Sequence, residues 1–186
     1  MLLGGKGANL AEMTSIGLPV PPGFTITIET CKVYNDRGNR LPDTLMDQVK
    51  TAVRRLERET GKKFGSTTDP LLVSVRSGAA VSMPGMMETV LNLGLHDESV
   101  NGLATQTRNP RFAYDAYRRL INMFGSVVFD IDHHHFEAEF DKVKKTCKVK
   151  SDTDVPAKGL QDLCARYEKV FKKYAKIAFP QDPYKQ

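Results

Sequence analysis

Tryptophan is absent from this 186-residue sequence, and cysteine occurs only at Cys31, Cys147 and Cys164. No two of these form a CxxC pair, and an odd number of widely spaced thiols does not build a disulfide frame. That argues against a zinc ribbon or a stapled scaffold and for a reducing compartment. Also missing is any apolar run near the ~18 residues of a membrane span. The opening Met1-Leu2-Leu3 runs straight into Gly4-Gly5-Lys6, which is not the build of a secretory signal. The expected location is therefore intracellular, cytoplasmic or organellar, with no membrane partner. Neither a low-complexity tract nor an internal repeat is present.

The composition is that of a folded protein, 40% hydrophobic and 26% charged. The length corresponds to one domain or slightly more at ~150 residues each. The net charge of +5 is uneven: 15 lysines and arginines stand against 14 acidic residues over 1–136, and 12 against 8 over 137–186. Lys169, Lys172, Lys173 and Lys176 fall on a helical pattern and read as a solvated face. The alternative from another functional class is a non-catalytic basic helical module that docks an acidic partner or nucleic acid. That face lacks interleaved exposed aromatics, so no nucleic acid is expected. The run His133-His134-His135 reads as a solvated loop or helix start, because adjacent side chains point in different directions and cannot share one metal.

Hydrophobic periodicity places a helix over 7–16, with Leu10, Met13 and Ile16 on one face and Gly17 as its stop. Phe24 to Ile28 alternates like a half-buried strand. A helix is expected from about Pro42 to Thr60, with Leu45, Val49, Val53 and Leu56 in register and Gly61 at its end. Leu71 to Val75 is a strongly apolar strand, and Val90 to Leu93 resumes as another. After His96 the pattern turns helical. Ala113, Ala116, Tyr117, Leu120, Phe124 and Val128 form one stripe. Leu160, Leu163, Cys164, Tyr167, Val170, Phe171, Tyr174 and Ile177 form a second. The reading is α+β, with an N-terminal lobe over 1–96 and a mainly helical subdomain over 97–186.

Two stretches could carry chemistry. In GGKGANLAEM, glycines around Lys6 at a helix start let backbone N–H groups and an ammonium approach an anion closely. This is not the P-loop pattern, and a surface lysine in a Gly-rich turn is the plain alternative. The strand LLVSVR ends in Arg76, followed by the small residues Ser77, Gly78, Ala79 and Ala80. A guanidinium there can grip phosphate oxygens through two N–H groups, or simply form a surface ion pair. Between Arg76 and Glu88 there is no charged residue. Gly78 and Gly85 permit unusual backbone conformations and close approach. Met83, Met86 and Met87 offer pliable apolar cover, suited either to a lid or to filling a core gap.

The segments LLGGKGANLAEMTSIGLPVPPGFTIT, LLVSVRSGAAVSMPGMMETVLNLGL, NPRFAYDAYRRLINMFGSVV and FPQDPYKQ resemble the start of the pyruvate, phosphate dikinase family. The likeness covers nearly the whole chain apart from about 130–158. It implies the first lobe of an ATP-grasp nucleotide-binding domain followed by a helical subdomain. It further implies that Lys6 and Arg76 contact ATP phosphates, that Ser77 and Thr89 belong to the same site, and that Met83, Gly85, Met86 and Met87 close over it. The family reaction converts ATP, phosphate and pyruvate to AMP, pyrophosphate and phosphoenolpyruvate through a phosphohistidine, with Mg²⁺. The related phosphoenolpyruvate synthases share the GGKGANL and VRS elements and are the nearest alternative.

The Gly-rich Cys-His motif of the family's phosphohistidine does not occur, so no catalytic residue is expected in this chain. His96 and the histidine run are not candidates for it. The Mg²⁺ and adenine ligands are expected outside it. Both ends read as cut, so a piece of a longer enzyme is expected; the resemblance implies that the full enzyme is a homodimer and that the second ATP-grasp lobe, the phosphohistidine domain and the pyruvate/phosphoenolpyruvate barrel lie outside this chain.

Overall fold

The computed structural model describes residues 2–78 and 89–186. The chain divides into two compact units, one of Met1–Gly61 with Arg76–Glu88 and the other of Lys62–Val75 with Thr89–Gln186.

The first unit carries α1 (Gly4–Ser15), α2 (Ile28–Asp36) and α3 (Leu45–Thr60). The expected α3 forms as an amphipathic helix that buries Leu45, Val53 and Leu56. Gly61 ends it at φ 70°, a left-handed turn in which its N–H reaches the Glu57 carbonyl oxygen. Glycine adopts that conformation without the Cβ penalty of other residues. Two expectations are corrected. Residues 24–27 form no strand, and Ile28 opens α2 instead. Thr27 stands at the N-cap in extended conformation with Glu29 in the first turn, so a helix start follows directly on the alternating segment. The Ile28 N–H donates to the Leu2 carbonyl at 3.1 Å instead of to a ladder partner. The Leu10, Met13 and Ile16 face is likewise exposed, Ile16 by 70%. α1 is seated by its first turn, where Gly4 is buried, and not by its later apolar face.

The second unit opens with β1 (Lys63–Phe64) and β2 (Pro70–Leu71), paired in parallel with Lys63 opposite Pro70 and Phe64 opposite Leu71. β3 (Val73–Arg76) pairs with β4 (Thr89–Leu93). β4 covers the strand expected over Val90–Leu93, whereas the one expected over Leu71–Val75 is divided at Leu72 between β2 and β3. Four helices follow: α4 (Ser99–Thr107), α5 (Pro110–Met123), α6 (His133–Cys147) and α7 (Ala157–Ala175). Their inward stripes build one apolar core with Val90, Leu93, Leu95 and Phe179. Tyr117, Leu120, Ile121, Phe136, Leu160, Leu163, Tyr167 and Phe171 are almost wholly buried there. Each such side chain contributes on the order of 2 kcal/mol by leaving water.

Three stripe residues, Val128, Tyr174 and Ile177, fall outside that core, the first and last of them for local reasons. α5 runs on into a π-helical turn over Phe124–Val128, which adds a residue to the turn and rotates the positions beyond it. Val128 is thereby 54% exposed, and Phe129 packs against Phe124 and Phe171 instead. α7 ends with Lys176 at φ 63°, so Ile177 is exposed, and Phe179 returns to the core beside Phe124 and Phe171. α5 starts as its sequence dictates: Asn109 caps it by accepting from the Phe112 N–H at 3.0 Å, with Pro110 in the first turn. Asn109→Ala is expected to cost about 1 kcal/mol. Urea denaturation should show a lower midpoint with unchanged slope.

Candidate functional site

α1 begins on the glycines around Lys6, and the Lys6 ammonium reaches the end of β3. Its Nζ donates to the Ser77 carbonyl oxygen at 3.2 Å, bridging 71 positions of sequence. Ser77 follows directly on Arg76, the last residue of β3. This contact lies inside the first unit, which holds Lys6, Arg76 and Ser77. A neutral carbonyl orients an ammonium without cancelling its charge, so Lys6 keeps its attraction for anions. Arg76, Ser77 and Gly78 are exposed beside it. Two cations and glycine-rich backbone on an open surface suit a ligand with several anionic oxygens.

The other residues singled out in the sequence do not all join this contact. Thr89 opens β4, in the second unit. Met83, Gly85, Met86 and Met87 lie outside the described residues. His96 is buried, with Nε2 3.0 Å from the Gly65 carbonyl and its backbone N–H donating to Ser99 Oγ at 2.8 Å, which is a structural role. The three consecutive histidines open α6 behind the Asp132 cap, with the His134 and His135 rings lying against each other at 3.8 Å between centroids. His133 Nδ1 lies 3.0 Å from Asn122 Oδ1, His134 Nδ1 lies 2.7 Å from Asp132 Oδ1, and His135 stacks on the Tyr174 ring. Among the described residues no three His, Cys, Asp or Glu side chains converge to hold a metal ion.

A second cluster had no sequence signal, because its members lie far apart along the chain. Tyr117 Oη sits 2.9 Å from both Asp97 Oδ1 and Glu168 Oε1. Gln181 completes the group: Nε2 donates to Tyr117 Oη and Glu168 Oε1, and Oε1 accepts from the Asp97 N–H at 2.9 Å. A phenol has one hydrogen and cannot donate to two carboxylates at once, so the arrangement favours a proton on one of the acids. Burial first, then the adjacent Asp97 carboxylate, pushes Glu168 up to about 7. Burial, helped by the Glu168 charge, holds the Tyr117 phenol far above its ordinary value. The cluster borders a cavity of about 280 Å³ that is also lined by Asn101, Tyr114 and Gln161. Cys164 lies there too, and burial pushes its thiol up, so it stays protonated.

Known proteins share this sequence closely. The family model described as "Pyruvate phosphate dikinase, AMP/ATP-binding domain" matches residues 1–45 and 37–177. The pyruvate, phosphate dikinase of Clostridium symbiosum is 51% identical over 183 residues, which are 98% of this chain and 21% of that protein. That of Entamoeba histolytica is 49% identical over 185 residues, 100% of this chain and 21% of its own length. The chloroplastic pyruvate, phosphate dikinase of Flaveria pringlei is 51% identical over 185 residues, 100% of this chain and 19% of its own. The chain thus spans about a fifth of the length of the curated relatives it matches.

Proposed function

Because this chain belongs to the pyruvate phosphate dikinase AMP/ATP-binding domain family, we propose that it is the nucleotide-binding part of a pyruvate, phosphate dikinase. The proposed reaction takes ATP, phosphate and pyruvate to AMP, pyrophosphate and phosphoenolpyruvate through a phosphohistidine carried elsewhere in a longer, homodimeric protein. The fold proposed is the first lobe of an ATP-grasp domain over 1–96 with a helical subdomain over 97–186. The names of the relatives favour the dikinase over the synthase alternative.

The observation that carries this reading is the Lys6 to Ser77 contact at 3.2 Å, which joins the GGKG turn to the strand end bearing Arg76. Phosphoryl transfer is chiefly positioning and charge neutralisation. A unit charge ~4 Å from a phosphate oxygen contributes gross about 4 kcal/mol at an effective dielectric near 20, before desolvation. Lys6 then acts as a point charge on the polyphosphate, and Arg76 as a two-pronged clamp. From the family resemblance, Ser77, Thr89, Met83, Gly85, Met86 and Met87 are proposed to take part in binding ATP as well. The Mg²⁺ ligands of the proposed reaction are expected in other segments of the longer protein, and none of the steps derived from this chain's residues passes through the metal.

Arg76→Lys in the full-length protein tests the clamp, since lysine keeps the charge and loses the fork. The expected result is a fall of about tenfold in kcat/KM for ATP, equivalent to ~1.4 kcal/mol. Turnover within twofold of wild type would remove Arg76 from this role. A strict requirement for inorganic phosphate in the same assay separates the dikinase from the synthase.

A further inference from the structure

We infer that Gly7 is a positioning residue of the nucleotide site: its missing Cβ lets the first turn of α1 seat against Thr25, and that seating sets Lys6 within reach of Ser77. This rests on the proposed role of Lys6. A Cβ built on Gly7 would lie 3.1 Å from Thr25 Oγ1, 3.2 Å from Thr25 Cγ2 and 3.2 Å from Leu3 Cβ. All three are tighter than ordinary van der Waals contact, so an added methyl must displace either the turn or its neighbours by a few tenths of an ångström. On one side Leu3 is constrained, because the adjoining Leu2 carbonyl accepts from the Ile28 N–H at 3.1 Å. On the other, Thr25 lies three residues before that same amide. Lys6 is the immediate neighbour of Gly7, and its Nζ contact with Ser77 O is at 3.2 Å, already toward the long end of a hydrogen bond. A small shift of the turn is therefore felt directly by the ammonium.

Helix propensity runs the other way. Alanine in a helix is favoured over glycine by roughly 1 kcal/mol, which offsets the crowding at Thr25 and Leu3, so overall stability is expected to change little. Positioning predicts that Gly7→Ala in the full-length protein keeps its melting temperature while ATP binding weakens. The expected result is a rise of about fivefold in KM for ATP with kcat within twofold, because small misplacements of a binding group cost affinity steeply. Adding Thr25→Ala removes both close atoms on that side and should return KM to within twofold of the Thr25→Ala parent. If Gly7→Ala fails to fold, Thr25→Leu presses the same contact from the opposite side and is read in its place.

Lys6→Met runs in parallel to separate two failures. If Lys6→Met weakens ATP binding at least tenfold while Gly7→Ala, or its Thr25→Leu stand-in, leaves KM unchanged, the positioning role is overturned and the nucleotide site stands. If Lys6→Met also leaves KM unchanged, the nucleotide site itself falls, and the positioning role with it. A KM rise that Thr25→Ala does not relieve overturns the Thr25 seating.

Discussion

Gly102→Ala is expected to destabilise the second unit by about 3 kcal/mol or more. Gly102 lies inside α4, where a Cβ would stand 2.1 Å from the Thr67 carbonyl oxygen, 2.6 Å from its carbon and 3.0 Å from Thr68 Cα. These are backbone atoms, so no side chain can swing aside, and α4 itself must move off the loop between β1 and β2. That loop is closely tied: Ser66 Oγ accepts from the Thr68 and Asp69 N–H groups, and Gln106 on α4 donates to Asp69. The move would also disturb Val100 and Leu103, both buried on the same helix. At roughly 2–4 °C per kcal/mol for a chain of this length, calorimetry should show a melting point lowered by about 6–12 °C or more. Gly23→Ala is the control, because only one atom lies within 4.0 Å of its built Cβ. A loss below 1 kcal/mol at Gly102 would mean that α4 does not press on the 67–68 backbone.

Glu168→Gln is expected to stabilise the protein at alkaline pH and to leave it nearly unchanged near pH 4.5. The sign comes from linkage. A carboxyl whose pKa is raised on folding binds its proton more tightly in the native state, so stability falls as the pH rises through its free and then its folded value. For Glu168 that window runs from about 4.5 to about 7. Undiscounted, such a shift would be worth ~3 kcal/mol, but Glu168 is only half-buried and Asp97 is exposed, so water screens the pair and about 1–2 kcal/mol is expected. Glutamine keeps an acceptor for the cluster and cannot ionise. Urea titrations from pH 4.5 to 8.5 should show wild-type stability declining across this window, with a smaller decline for the variant. Equal slopes would place the proton elsewhere in the Asp97, Tyr117 and Glu168 group.

Much of the helical architecture was legible because one physical rule governs it. Where apolar residues recur at the helical spacing, as at Leu160, Leu163, Tyr167 and Phe171, burial of that stripe is the main way to remove them from water. The stop of α3 at Gly61 after Thr60 was equally local. The errors came where a local pattern suits two outcomes. Alternation over Phe24–Ile28 is consistent with a strand, but a strand needs a partner, and Thr27 was already placed to start α2. The stripe ending at Val128 assumed an uninterrupted α-helix, and a single π turn rotated it away.

For the site, sequence alone singled out Lys6 and Arg76 as candidates for holding phosphate, because glycines beside a lysine and small residues after a strand-end arginine are local facts, and the proposed role of both rests on the family resemblance. It also determined the order of the main helices and the apolar stripes that build their core. Only the tertiary structure decided that the Lys6 ammonium meets the carbonyl next to Arg76, and that Asp97, Glu168 and Gln181 gather around the Tyr117 hydroxyl. Charge and hydrogen bonding act over a few ångströms, whereas these residues are separated by tens of positions. Folding alone converts the one distance into the other.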